Sequence, residues 1–251
     1  GTPGTKVKVR FGRPGIAEPF PLEFTRAVIR IPAVPFTLAF DGGIGYIPLQ
    51  QFNETSAPEV SKAIRDLQAR GAKSFVLDLR RNPGGYLDHS LDIANLFLPK
   101  GSEILTVRGR QNEVQRSVAD DAPLVPNAPV VVLVDQFSAS ASEIVAGALQ
   151  DHDRALVVGT TTFGKGLVQS VLPLDGGYAL KMTTAKWYTP SGRTIQKDRK
   201  VGPDGQFQPE EPDTAAESDS ARRARPTFKS DAGRVVYGGG GISPDLPVRP
   251  D

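Results

Sequence analysis

The chain has 251 residues with 39% hydrophobic content, enough for one large or two modest globular domains. Thirty basic against 28 acidic residues leave a formal charge of +2, so no net field recruits nucleic acid or an anionic membrane, and the basic run at 221–225 reads as a solvated segment. The lack of cysteine excludes disulfides, thiolate metal sites and a cysteine nucleophile. With only His89 and His152 and no His-Glu-x-x-His pattern, a zinc hydrolase is also unsupported. No apolar run approaches the ~20 residues of a membrane span. The first residues lack a basic-then-apolar export signal, which reads as a cytosolic chain or one that begins downstream of its signal.

In chain order, KVKVRF (6–11) alternates as a half-buried strand, FTRAVIRI (24–31) is a second strand, and IGYIPLQQF a third. SAPEVSKAIRDLQARG predicts a helix with Val60, Ala63, Ile64 and Leu67 on its apolar face, a Ser56–Glu59 capping box and Gly71 as its stop. SFVLDL (74–79) is a short buried strand, RRNPGG turns the chain, and YLDHSLDIANLFL returns as a helix. The rhythm repeats in PVVVLV (129–134), SEIVAGALQ and ALVVG (155–159). Strands alternating with helices at these lengths predict parallel β-α-β units with right-handed crossovers, an α/β fold. Past Lys165, LVQSVLPL, YALKM and AKWYTP read as strands and turns. From Lys197 to Pro226 the chain is rich in Pro, Asp, Glu, Ser and Arg, which predicts an insertion or mobile loop, and GRVVYGGGGISPD offers a last strand and a glycine-rich turn.

Two loops carry candidate chemistry. In DQFSASASEIVAGALQD (135–151), Ser138, Ser140 and Ser142 precede a helix. Ser140-Ala-Ser-Glu143 fits a capping box, yet a helix N-terminus, with its unpaired N–H groups and positive dipole end, also suits a nucleophile and its oxyanion. GTTTFGKG (159–166) nearly spells a phosphate-binding loop, but Gly166 stands where magnesium requires Ser or Thr, and a strand-like segment follows instead of a helix. A structural reading leaves Lys165 as a solvated residue between flexible glycines. A third reading joins the loops: a neutral lysine amine acts as general base for a serine without any histidine. If KGLVQ is extended, Gln169 shares a face with Lys165 and can orient it.

VLDLRRNPGG, VVVLVDQFSASASEIVAGALQDHDRALVVG, TTFGKGLVQSVLPL and AKWYTPSGRTIQ, in that order, resemble the carboxyl-terminal processing peptidases, or tail-specific proteases, over most of residues 40–196. The resemblance implies Ser140 as nucleophile, Lys165 as general base, Gln169 as its partner, and backbone oxyanion donors at Ala141 and the Gly84-Gly85 pair, for which a tight turn is the structural alternative. It implies no metal or organic cofactor. Asp151 and Arg154 are assigned first to structure, as a helix-end charge pair, and Glu143 first to the cap. The expected fold is a crotonase or Clp-protease-like spiral core of ββα units, with a small β-rich portion from the chain ends. The expected divisions are 1–20 as the remnant of a PDZ domain, 21–196 as the peptidase core, 197–230 as the insertion, and 231–251 as a strand and tail returning to the core. Arg81 departs from the resemblance, at a position often small in relatives.

The implied activity is serine endopeptidase cleavage of proteins near unstructured C-terminal tails, outside the cytoplasm in the periplasm or cell envelope. A homo-oligomer and an adaptor or activating protein are left open. The alternative is a non-catalytic ligand- or peptide-binding protein on the same core.

Overall fold

The computed structural model describes residues 1–29, 31–110, 113–198 and 217–248. The chain forms two compact units, Gly1–Pro32 and Ala33–Asp251. The first is built on a hairpin of β1 (Lys6–Phe11) and β2 (Phe20–Thr25), with Phe11 stacked on Phe20. The second predicted strand therefore starts four residues early and ends at Thr25. β2 pairs with β1 along its whole length, and the first compact unit runs on to Pro32.

The second unit is α/β. Its main sheet has six strands in the order β14-β9-β8-β5-β4-β3: β3 (Leu38–Phe40), β4 (Ile44–Pro48), β5 (Ser74–Asp78), β8 (Val130–Val134), β9 (Leu156–Gly159) and β14 (Leu246–Pro247). All pairs are parallel except β3 with β4. Helices α1 (Ser56–Ala69), α2 (Leu87–Asn95) and α3 (Ala141–Asp151) occupy the crossovers, with α1 beside α2 and α2 beside α3. This is the arrangement expected when right-handed crossovers extend a sheet in one direction.

The predicted apolar face of α1 is the buried one: Val60, Ile64 and Leu67 are inaccessible to solvent and Ala63 nearly so. Gly71, at φ +90, closes the helix in the left-handed conformation that glycine adopts without strain. The Ser56–Glu59 capping box does not form. Thr55 is the N-cap, the Ser56 hydroxyl donates to the Asn53 carbonyl, and Glu59 Oε2 accepts the Val34 N–H at 2.8 Å, so the carboxylate pins the chain entering the unit.

A second, antiparallel sheet has the order β10-β11-β6-β7, from β6 (Glu103–Gly109), β7 (Val114–Val118), β10 (Leu167–Pro173) and β11 (Ala179–Tyr188). ALKM and AKWY, from the two predicted segments, thus belong to one ten-residue strand. The hairpin β6–β7, between the second helix and PVVVLV, has no counterpart among the predicted elements.

Within the predicted insertion, residues 199–216 lie outside the described residues, while α4 (Asp219–Arg223) and β12 (Thr227–Lys229) follow them. β12 pairs with β13 (Val235–Tyr237). The C-terminal segment is tied to α3 by buried polar contacts. Gln150 Nε2 donates to the Ser243 carbonyl at 2.9 Å, and the inaccessible Arg193 guanidinium donates to Gln150, Asp151 and the Tyr237 carbonyl. Asp151 therefore pairs with Arg193 at 2.7 Å and not with Arg154, whose guanidinium donates to the Phe97 and Val125 carbonyls.

Candidate active site

Three chain segments meet at the N-terminus of α3: the turn after β5, the serine segment after β8, and the loop between β9 and β10. Loops at the carboxyl ends of parallel strands gather in this way because every crossover returns to the same edge.

The three serines have different fates. Ser138 is buried; its Oγ donates to the Leu79 carbonyl at 2.8 Å and accepts the Asp135 N–H at 2.9 Å. Ser142, inaccessible to solvent, donates to the Asn82 carbonyl at 2.9 Å. Both hydroxyls are spent on main chain some 60 residues away in sequence. Ser140 is half-exposed, and among the described residues its hydroxyl proton is donated to no protein group. Its backbone sits at φ 55, ψ −113, a region costly for a residue with a Cβ by about 1–3 kcal/mol. Ser140 is the N-cap of α3 and stands in a capping box with Glu143. The Ser140 N–H donates to Glu143 Oε2 at 2.8 Å, and the Glu143 N–H also reaches the Ser140 carbonyl at 2.9 Å, so the hydroxyl is not the sole acceptor at this helix end.

Glu143 joins the serine to the lysine loop. Its inaccessible carboxylate accepts four hydrogen bonds: Ser140 N–H and Lys165 N–H (2.9 Å) on Oε2, and the Thr162 hydroxyl (2.6 Å) and Gly164 N–H (2.7 Å) on Oε1. Burial pushes this carboxyl up, and the four donors pull it back without cancelling the burial effect. The main-chain amides of Ser140 and Lys165 thus meet on a single oxygen atom. The lysine loop is held from its other side as well. Gly166 N–H donates to Gln196 Oε1 at 2.8 Å, Lys197 N–H to the Gly164 carbonyl at 2.9 Å, and Phe163 N–H to the Ser138 carbonyl at 3.0 Å. At Gly164 a Cβ would stand 2.9 Å from that of Lys197 and 3.0 Å from the Gly241 nitrogen, so the glycine is required by close packing.

The Lys165 side chain is half-exposed, and among the described residues Nζ has no hydrogen bond to Ser140 Oγ. Gln169 lies on β10, exposed, beside an irregularity in the pairing with β11, and has no hydrogen bond to Lys165 among the described residues.

The Asn82-Pro-Gly-Gly85 turn lies against the serine. A Cβ on Gly84 would be 2.6 Å from the Ala139 carbonyl oxygen and 2.9 Å from both the Ala141 nitrogen and Ser140 Cβ. Of the three amides expected to form an oxyanion hole, that of Gly84 is already committed, donating to Asn82 Oδ1 at 2.9 Å. Those of Gly85 and Ala141 have no protein acceptor among the described residues. Gly85 forms a parallel bridge with Phe52 through the flanking Gly84 carbonyl and Tyr86 N–H, which leaves its own N–H outside the bridge. The Ala141 N–H is one of the unpaired donors at the start of α3. Among the described residues no cluster of three His, Asp or Glu side chains is arranged to hold a metal ion.

Sequence reasoning singled out neither Asp78 nor Arg80 at the end of β5. Arg80 Nε donates to both Asp78 oxygens at 3.0 and 3.1 Å, its Nη2 to Oδ2 at 2.6 Å, and the Tyr46 hydroxyl also donates to Oδ2 at 2.6 Å. Burial pushes the Asp78 carboxyl up, but these donors outweigh it and hold the group below the usual aspartate range. An acid ending an apolar strand, two residues before an arginine, was the available signal.

The model of Peptidase family S41 matches residues 43–207. The chain is 45% identical over 201 residues to a carboxy-terminal-processing protease of Bartonella bacilliformis, covering 78% of this chain and 46% of that protein. It is 39% identical over 197 residues to the carboxy-terminal processing protease CtpA of Bacillus subtilis, covering 78% and 42%. The solved photosystem II D1 C-terminal processing protease superposes with a TM-score of 0.65 at 27% identity, over 100% of this chain and 57% of that one. The chain spans about half the length of the curated relatives it matches. A family match over residues 43–207 contains the Asn-Pro-Gly-Gly turn, the three serines and the lysine loop together, and the chain belongs to peptidase family S41.

Proposed function

We propose that this chain carries the catalytic part of a serine endopeptidase that cleaves proteins near their C-termini, on a spiral core of the crotonase and Clp-protease type. The observation that carries the reading is the difference among the serines: two hydroxyls are buried in long-range hydrogen bonds, while Ser140 keeps its proton at a strained helix N-terminus to which Glu143 clamps the lysine loop.

The Lys165 side chain turns toward the serine, and its neutral amine takes the Oγ proton as Oγ attacks the scissile carbonyl. The oxyanion receives the N–H groups of Ala141 and Gly85, with Gly84 supporting the turn instead of donating. Collapse of the tetrahedral intermediate expels the amine, which takes the proton back from Lys165. Water then attacks the acyl-enzyme as Lys165 takes its proton, Lys165 passes that proton to the leaving Ser140 Oγ, and the new carboxyl group departs and ionises in solvent. Gln169 orients the base. The names of the relatives support substrates processed at the carboxyl end, and the family resemblance supports a reaction outside the cytoplasm. The hairpin unit is read as the end of a PDZ domain.

The test incubates a protein with an unstructured, apolar C-terminal tail with the wild type and with Ser140→Ala, Lys165→Ala and Lys165→Arg, and follows the products by mass spectrometry. Cleavage by the wild type alone supports the reading, since a guanidinium stays protonated and cannot serve as base. Cleavage surviving in folded Ser140→Ala, or at wild-type rate in Lys165→Arg, overturns it. A wild type that binds the tail without cutting it favours the non-catalytic reading.

A further inference from the structure

We propose that Arg81 is a specificity residue that binds a carboxylate of the substrate; this rests on the peptidase reading above. Arg81 has φ 61, a left-handed conformation that residues with a Cβ rarely adopt. It is held there by its N–H, which donates to Asp135 Oδ1 at 2.9 Å. Its guanidinium lies 5.8 Å from the centroid of the Phe137 ring, exposed to solvent, and has no carboxylate partner among the described residues. The backbone is thus pinned while the charge is left open.

The neighbouring acids do not answer that charge. A cavity of about 610 Å³ borders Arg81, lined also by Phe36, Tyr46, Leu49, Asp78, Arg80 and Asp135. Asp78 is taken by Arg80 and the Tyr46 hydroxyl. Asp135 Oδ1 faces the N–H groups of Arg81, Phe137 and Ser138 and the Ser138 hydroxyl. The apolar residues offer surface to the stem of an incoming side chain, and Arg81 supplies the cation its head requires.

The position suits a subsite. Arg81 is three residues before Gly84, and Phe137 three before Ser140, at most about 11 Å of chain in each case. An extended substrate advances about 3.3 Å per residue, so the recognised carboxylate belongs about three positions from the scissile bond. It is either an acidic side chain or the substrate's own terminus.

The experiment compares one peptide carrying Asp or Asn at each of positions two to five from the cleaved bond, and the same peptide with a free or amidated C-terminus. Each is measured as kcat/KM with otherwise wild-type protein and as affinity, by fluorescence anisotropy, on the Ser140→Ala background. Asparagine tolerates φ near 61, so Arg81→Asn does not endanger the fold. The carboxylate form should be preferred about fivefold at low salt and should lose the advantage in 1 M salt. Arg81→Asn should bring the ratio to about one, and Arg81→Glu should invert it. Preference only in the Asp/Asn arm identifies a side chain; preference only in the free/amidated arm identifies the terminus. A ratio of one in the wild type, or a preference that Arg81→Asn leaves intact, overturns the proposal. If the wild type cuts nothing but the binding preference still depends on Arg81, the arginine assignment stands and the peptidase reading falls.

Discussion

Replacing Glu143 with glutamine tests whether the serine and lysine segments are held together by one buried carboxylate. The glutamine oxygen can keep two of the four donors, but its NH2 then faces the other two, which lose a charged acceptor inside a site closed to water. Hydrogen bonds to charged groups contribute about 1.5–3 kcal/mol each, so two of them cost about 3–6 kcal/mol. For a unit of this size 1 kcal/mol moves Tm by about 2–4 °C, so calorimetry should show a drop of about 6–24 °C. Well below the lowered Tm, kcat should fall more than KM rises, because the carboxylate positions Ser140 and Lys165 and touches no substrate. Glu143→Asp, one methylene shorter, should not restore the wild-type Tm. A glutamine variant that melts within about 2 °C of wild type would refute the account of Glu143 as the joint between the loops.

Gly85→Ala should displace the Asn-Pro-Gly-Gly turn, since a Cβ there would stand 1.9 Å from the Phe52 carbonyl oxygen. Stability should fall by about 2 kcal/mol or more and peptide cleavage should collapse, whereas Gly71→Ala, with open space around its Cβ, should cost only about 1 kcal/mol and leave turnover alone. Thermal melts and kcat on both variants decide the matter. Asp78→Asn probes the depressed carboxyl. A folded-state value below the unfolded one contributes stability that is present above about pH 4 and is lost as pH falls through the folded value. The variant should therefore be less stable at pH 7 by about 1–2 kcal/mol, at the low end because Arg80 is half in water, and the gap should close toward pH 2. Urea titrations at several pH values that show a constant gap would contradict the pairing.

The α/β order and the buried face of α1 are legible in the sequence because they depend on periodicities within a few residues: spacing near 3.6 in 56–69, short apolar runs in 74–79 and 129–134, glycine at the stop. The candidate nucleophile and base are legible for a related reason, since each stands in a local pattern of hydroxyls or glycines. The resemblance points to Ser140, but the local pattern by itself does not say which serine is free. The Ser138 and Ser142 hydroxyls find Leu79 and Asn82 across 59 and 60 residues, and nothing local distinguishes them from Ser140. Sequence separation hid some of the other partners, and one was missed although it is local. Glu59 fits half of a cap but binds Val34, 25 residues away, and Asp151 pairs with Arg193, 42 residues away, rather than with Arg154; the Gly84 amide goes to Asn82, two residues back, through the local turn. Hydrogen-bonding groups are satisfied by whatever the packed chain brings within about 3 Å, so their partners are decided by tertiary contacts, while periodicity and turn chemistry are already present in the unfolded chain.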